Sequence, residues 1–249
     1  MLESVYFTAD EMPKGETALE ARNISVIYGT GAARVRAVDS VSLKLNKGEL
    51  TVIFGASGCG KTSLMNVFGG MMSPSSGRLL CRGKNIARMR DREKTLYRQK
   101  QIGFVFQQYN LISDLTAEDN VGIAAALADR PMDVHEALEI VGLKDRAHHY
   151  PYQMSGGEQQ RVCIARALVK QPDIIFCDEP TGALDTENAR RVLTILERLR
   201  RKEGRTVVII THNPAIAQMA DRVIKMSNGR IISDERNPFP KSAEEALVL

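Results

Sequence analysis

Residues 51–66 read TVIFGASGCGKTSLMN, and the rest of the chain is organised around them. Thr51, Val52, Ile53 and Phe54 are β-branched or apolar and predict a buried strand. Gly55 breaks that strand. Gly58, Gly60, Lys61 and Thr62 follow, and Leu64, Met65 and Val67 then start a helical pattern. Gly55, Gly60, Lys61 and Thr62 have the spacing of a phosphate-binding loop. The chemistry needs those residue types. Glycines let backbone wrap closely around an anion. Successive N–H groups and a helix N-terminus then face it. The bare pattern can arise by chance, but here it stands between a strand and a helix, where the mechanism requires it.

The composition is that of an ordinary globular protein. The chain has 249 residues, 43% hydrophobic and 26% charged, enough for one large α/β domain or for a domain with a subdomain. Trp is absent and aromatics reach only 5%, which argues against a stacking platform for single-stranded nucleic acid. The net charge of +4 suits a basic nucleotide site and an anionic membrane surface, and is too small to argue for DNA. Cys59, Cys81, Cys163 and Cys177 form no CxxC pair and have no zinc spacing, so reduced thiols in a cytosolic setting are expected. Cys59 lies inside the loop, either as a small residue at a variable position or as a thiol open to alkylation. Residues 1–20 lack a basic start followed by an apolar core, so no secretory signal is expected. No run approaches the ~18 apolar residues of a membrane span. Any spanning part would come from another chain.

Outward from the loop, hydrophobic period marks the elements. Residues 1–17 read as a polar extension. Residues 18–27 and 35–45 predict strands, the second closed by the turn Asn46-Lys47-Gly48-Glu49. Gly69 and Gly70 end the loop helix, residues 73–77 (SPSSG) predict a turn, and 78–81 a short strand. Residues 88–100 are strongly charged and read as a solvated helix, with a nucleic-acid patch as the lesser alternative. Residues 101–106, with the run IGFVF, predict a strand that leads straight into Gln107. From 111 to 150 the pattern is helical without strand signals, an insertion into the α/β core. Ser155 with Glu158 makes a capping box opening a helix to about 170. IIFC at 174–177 ends in Asp178-Glu179-Pro180. A helix over 188–201, a buried strand over 206–210 ending at Thr211-His212, and a hairpin across Asn228-Gly229 complete the body. Residues 237–240 break structure, and 242–249 suggest a short terminal helix.

Strand–helix alternation with apolar strands predicts a mostly parallel sheet covered by helices. In such a sheet ligands sit at the carboxyl ends of the strands. The Gly55 loop, Gln107, the Asp178-Glu179 pair and His212 each follow a strand directly, so they can converge on one phosphate site. Lys61 would reach the β- and γ-phosphates, and the Thr62 hydroxyl would ligate Mg²⁺ together with Asp178. Glu179 would polarise an attacking water as general base. The plain alternative for Asp178-Glu179, an acidic pair capping a strand, is weakened by the phosphate loop elsewhere in the chain. His135, His148 and His149 have no metal spacing and read as polar surface.

Ser155-Gly156-Gly157-Glu158-Gln159-Gln160-Arg161 resembles the signature of the ATP-binding-cassette (ABC) ATPases, with Met154 where Leu is usual and Glu158 where Gln is commoner. The resemblance covers about residues 18–234. Tyr28 resembles the aromatic that stacks on adenine, Gln107 the Q-loop glutamine, Ala183-Leu184-Asp185 the D-loop, and His212 the switch histidine. GFVFQQYNL, DEPTGALD and the Tyr28-Gly29 region resemble the branch of macrolide-export (MacB), lipoprotein-releasing (LolD) and antimicrobial-peptide-resistance ATPases. The fold this implies is a P-loop (RecA-like) α/β core with a mostly parallel sheet flanked by helices. An N-terminal antiparallel β subdomain and a helical insertion at about 108–154 complete a domain over 18–236, followed by a tail, 237–249.

The resemblance also implies an ATPase working with Mg²⁺ as a head-to-tail dimer of two identical copies. ATP would lie between residues 55–63 (Gly55, Ala56, Ser57, Gly58, Cys59, Gly60, Lys61, Thr62, Ser63) of one copy and Ser155, Gly156, Gly157 and Glu158 of the other. Gln107 would reach Mg²⁺ and the water, His212 would contact the γ-phosphate, and Asp185 would couple the two sites. The partner would be a membrane permease with an extracytoplasmic domain, engaged at the cytoplasmic face of the membrane for export or extraction. No nucleic acid is expected. A soluble relative in DNA repair or translation would carry tandem cassettes, a coiled coil or zinc cysteines, which this chain lacks. A cell-division type of cassette, moving a membrane partner to mechanical or signalling ends, stays open as the alternative.

Overall fold

The computed structural model describes residues 16–247. The expectation of a polar extension over 1–17 therefore lies almost wholly outside the described residues, as do the last two residues of the tail. The described residues open with a long antiparallel pair, β1 (Thr17–Tyr28) and β2 (Val35–Asn46), and continue into β3 (Leu50–Phe54) and α1 (Lys61–Phe68). Next come β4 (Ser76–Cys81), β5 (Lys84–Asn85), α2 (Asp91–Gln101) and β6 (Ile102–Val105). Three helices follow: α3 (Ala117–Ala126), α4 (Val134–Ile140) and α5 (Gly156–Leu168). The chain then alternates through β7 (Ile174–Asp178), α6 (Thr186–Glu203) and β8 (Thr206–Thr211). It finishes with α7 (Pro214–Ala217), β9 (Arg222–Ser227), β10 (Arg230–Arg236) and α8 (Ala243–Ala246).

Two sheets result. The smaller has the order β2-β1-β4-β5 and is antiparallel. The larger has the order β10-β9-β3-β8-β7-β6, parallel except for β10 against β9. Successive strand residues point to opposite faces, so an unbroken apolar strand must be covered on both. That is observed. Leu50, Val52, Ile175, Cys177, Val207 and Ile209 face one core, shared with α5 and α6. Ile53, Ile174, Phe176, Val208 and Ile210 face the other, shared with α1 and the smaller sheet. α1 thus lies between the two sheets, clamped by Leu64, Met65, Val67 and Phe68.

Several element boundaries differ from the sequence expectation. The turn expected over 73–77 is already strand at Ser76, and Gly77 (φ +99°) turns so tightly against β1 that a Cβ there would sit 2.4 Å from the Asn23 carbonyl oxygen. The helix expected from 188 starts at Thr186, because the Asp185 carboxylate accepts the Asn188 N–H at 2.9 Å and caps it. β10 runs on to Arg236 because Asp234 pairs with Arg222 across the hairpin. The charged helix α2 is not solvated all round, since Tyr97 is fully buried. Its hydroxyl donates to the Phe68 carbonyl at 2.8 Å, one of the carbonyls a helix C-terminus leaves without an intrahelical partner. Tyr97→Phe should leave that oxygen unmet and cost about 1–2 kcal/mol. Urea unfolding is the check, and an unchanged midpoint would show that the bond contributes nothing to anchoring α1.

Candidate functional site

The register of the large sheet aligns the carboxyl ends of four strands. Phe54 of β3 lies opposite Thr211 of β8, Ile210 opposite Asp178 of β7, and Cys177 opposite Val105 of β6. Gly55, His212, Glu179 and, one residue further on, Gln107 therefore emerge along one edge. β8 sits between the loop strand β3 and the acidic strand β7.

The loop itself is held from beneath by backbone. Gly55 N–H donates to the Thr211 carbonyl at 3.3 Å, and Gly229 N–H to the Cys59 carbonyl at 2.9 Å. Gly60 has φ +105°, and a Cβ there would meet the Ala37 carbonyl oxygen at 2.0 Å, so no other residue fits without moving β2. Gly58 (φ +77°) faces open space instead. Ala56, Ser57 and Gly58 are exposed along the rim, while Cys59 is buried. Lys61 is only 5% exposed. Its ammonium donates to the Gly55 and Ala56 carbonyls at 2.6 and 2.9 Å, which keeps a buried charge hydrogen-bonded beneath the loop.

α1 brings Thr62 across to β7. The Thr62 hydroxyl lies 3.1 Å from Asp178 Oδ2 and 3.4 Å from Oδ1. Burial raises the Asp178 carboxyl above its usual value, and the neighbouring Glu179 charge adds to this, against the opposing pull of the Thr62 hydroxyl and Lys61. A hydroxyl and a desolvated carboxylate converging on one point are hard oxygen donors of the kind Mg²⁺ takes, and a cation there would relieve the crowded negative charge.

Glu179 stands in the left-handed region at φ +46°. Its N–H donates to the Ile210 carbonyl at 2.9 Å. His212 Nδ1 lies 2.8 Å from Oε1, and the Thr211 hydroxyl donates to Oε2 at 3.0 Å. The Gln107 side chain reaches the same region, its Nε2 3.1 Å from where a Cβ of Gly182 would stand, in the turn after Glu179. Tyr28, 44% exposed, donates its hydroxyl to Ser63 Oγ at 3.1 Å beside α1.

The residues 155–158 form a separate group. Ser155 Oγ accepts the Glu158 N–H at 3.3 Å, and Glu158 Oε2 accepts the Ser155 N–H at 2.8 Å, the capping box expected from sequence. Ser155 thus keeps its own hydroxyl proton free to donate. Burial works against the Glu158 charge, but its hydrogen bonds from Ser155 and the nearby Arg146 and Arg161 hold the carboxyl below its usual value. Among the described residues no hydrogen bond joins Ser155, Gly156, Gly157 or Glu158 to residues 55–63.

Some site residues carried no sequence signal. Asn188 lies against Gly157 and donates its side-chain amide to Asp185 Oδ2 at 2.7 Å, so it bridges Asp185 and the start of α5. Gln160, which the sequence showed only as part of the signature stretch, is buried and donates to the carbonyl of Phe106, the residue before Gln107, at 3.4 Å. Thr211 was legible only as a strand end. The three histidines other than His212 lie on the helical insertion: His135 Nε2 and His148 Nδ1 are 3.4 and 3.2 Å from the two Glu118 oxygens, and His149 is 3.0 Å from Arg146. Among the described residues no three His, Cys, Asp or Glu side chains cluster as a metal site. All four cysteines are free and buried, and burial pushes the Cys81 and Cys163 thiols up to about 12.

Comparison with known proteins bears on the family and the fold. The family model described as "ABC transporter" matches residues 38–182. An uncharacterized ABC transporter ATP-binding protein of Methanocaldococcus jannaschii is 42% identical over 86% of this chain and 97% of its own length. The macrolide export ATP-binding/permease protein MacB of Hyphomonas neptunium is 42% identical over 92% of this chain, which spans only 36% of that protein. Among solved structures, a dimeric ATP-binding cassette in a post-hydrolysis state bound to ADP and Pi superposes with a TM-score of 0.81. It is 35% identical, with 88% of this chain and 98% of that chain covered.

Proposed function

The chain belongs to the ABC transporter ATP-binding family, and from that premise we propose that it hydrolyses ATP between two copies of itself to drive a separate MacB/LolD-type membrane permease. Its enzymatic class is ATPase, and ATP is its nucleotide. The observation that carries the site assignment is the common edge reached by Lys61, Thr62, Asp178, Glu179 and His212. Lys61 and the N–H groups of residues 58–63 bind the β- and γ-phosphates. Tyr28 stacks on the base. Thr62 and Asp178 would hold Mg²⁺, with Gln107 beside them. That cation, when bound, would neutralise charge on the phosphate oxygens.

Glu179 takes a proton from the attacking water as its oxygen bonds to the γ-phosphorus. The bond from that phosphorus to the bridging oxygen breaks, and the electron pair stays on ADP. His212 orients on the γ-phosphate from beside Glu179. Ser155, Gly156 and Gly157 of the second copy supply a hydroxyl and helix N-terminal N–H groups to the same phosphate. This reading is supported by the lack, among the described residues, of any hydrogen bond between residues 155–158 and the phosphate loop of the same chain, and by the dimeric form of the related cassette. Asp185, next to residues 155–158 through Asn188, links the two halves. Among the described residues no helix is long and apolar enough to cross a membrane, so the spanning partner is a further polypeptide or segment. As a cassette that drives such a permease, the chain would act at the cytoplasmic face of the membrane. Export or extraction is the direction favoured by the macrolide export names of its relatives.

The test is affinity capture from mildly solubilised native membranes, with identification of the bound proteins. Recovery of a permease bearing a large extracytoplasmic domain is expected. Recovery of soluble or nucleic-acid-bound proteins alone would overturn the membrane assignment. A membrane partner whose complex hydrolyses ATP without moving any compound would favour the mechanical or signalling alternative.

A further inference from the structure

We infer that Thr211 is a positioning residue that sets the Glu179 carboxylate for proton abstraction. The inference rests on the reading of Glu179 as general base. Thr211 is the last residue of β8 and only 1% exposed. Its Oγ1 accepts the Asn213 N–H at 3.0 Å. An N–H can only donate, so the hydroxyl proton is left for Glu179 Oε2 at 3.0 Å. The result is a directed relay from Asn213 N–H through Thr211 to one oxygen of the carboxylate. His212 faces the other oxygen, but its side chain is 59% exposed and, on the reading above, turns to the γ-phosphate. Once it turns, the Thr211 hydroxyl is the tether that stays, buried and anchored in the sheet. The Glu179 backbone, already in the left-handed region, is held by its own N–H on Ile210. With His212 turned to the phosphate, the backbone and Oε2 contacts stay and leave Oε1 to the water molecule, which is what a base must offer.

The experiment is single-turnover hydrolysis of radiolabelled Mg-ATP with the full chain in excess, alongside equilibrium binding of ATP, for Thr211→Val, Thr211→Ser and Glu179→Gln. Thr211→Val keeps the shape and removes the relay. Its rate constant should fall about tenfold with ATP affinity within about twofold of the parent, since only the placement of the base changes. Thr211→Ser restores the hydroxyl and should recover most of the loss. A purely packing role would not produce that rescue together with unchanged binding. Parental hydrolysis in Thr211→Val, a loss confined to ATP affinity, or a serine variant as slow as the valine one would overturn the inference. If Glu179→Gln hydrolyses at the parental rate, the base reading fails first. If it is inert while Thr211→Val is fully active, only the Thr211 role fails. Should Thr211→Val not fold, Thr211→Cys, whose thiol is a weak donor of similar size, replaces it, with the same outcomes deciding.

Discussion

Glu179→Gln should lower ATP hydrolysis by about a thousandfold while leaving Mg-ATP bound, within the range that general base catalysis contributes. The substitution keeps the side-chain volume and one acceptor oxygen, so the Thr211 hydroxyl can still be accepted. The new amide group faces His212, whose ring can present an acceptor nitrogen in its other tautomer. The fold and the loop are untouched, because Glu179 takes part in neither core. What disappears is the ability to take a proton from water. With the γ-phosphate uncleaved, the contacts expected from Ser155, Gly156 and Gly157 of a second copy persist, and gel filtration in Mg-ATP should show a dimer. Hydrolysis retained above about a tenth of the parental rate would remove Glu179 from the base role. A monomer at saturating Mg-ATP would count against the two-copy site.

Lys61→Ala should have the other large effect, this time on binding. The ammonium sits under the loop with two carbonyl partners and is 5% exposed. It is therefore already desolvated and aimed before any phosphate arrives. Hydrogen bonds from a charged donor are worth about 1.5–3 kcal/mol each, so losing contacts to two phosphates should weaken Mg-ATP by about 10²–10⁴-fold. The free protein should change far less. Removing the ammonium frees two carbonyls but also relieves a buried charge, and these oppose each other. Calorimetric titration with Mg-ATP and urea unfolding of the apo protein separate the two quantities. Near-parental affinity would mean that the backbone N–H groups alone hold the phosphates. The paired variants thus divide the site, one losing turnover with binding kept, the other losing binding.

What the sequence by itself determined is what short-range physics governs. The strand, loop and helix of residues 51–66 follow from a run of apolar residues, the freedom of glycine and a helical period, all within sixteen residues. The capping box of Ser155 and Glu158 spans four residues, and the β9–β10 hairpin is set by Asn228-Gly229. Each strand that reads as apolar throughout turned out to be covered on both faces. Tyr97 lay hidden among arginines and lysines, because α2 is charged on every side except the one that meets α1.

Only the tertiary structure decided the strand order β3-β8-β7-β6, which inserts β8 between the loop strand and the acidic strand. That order gives Thr211 the Glu179 carboxylate and lets α1 carry Thr62 over to Asp178. It likewise decided the meeting of Asn188 with Gly157, residues 31 positions apart. No local period encodes which parallel strand lies beside which. That choice is made by how the two cores close over both faces of the sheet, and it is settled by contacts between residues far apart in the chain.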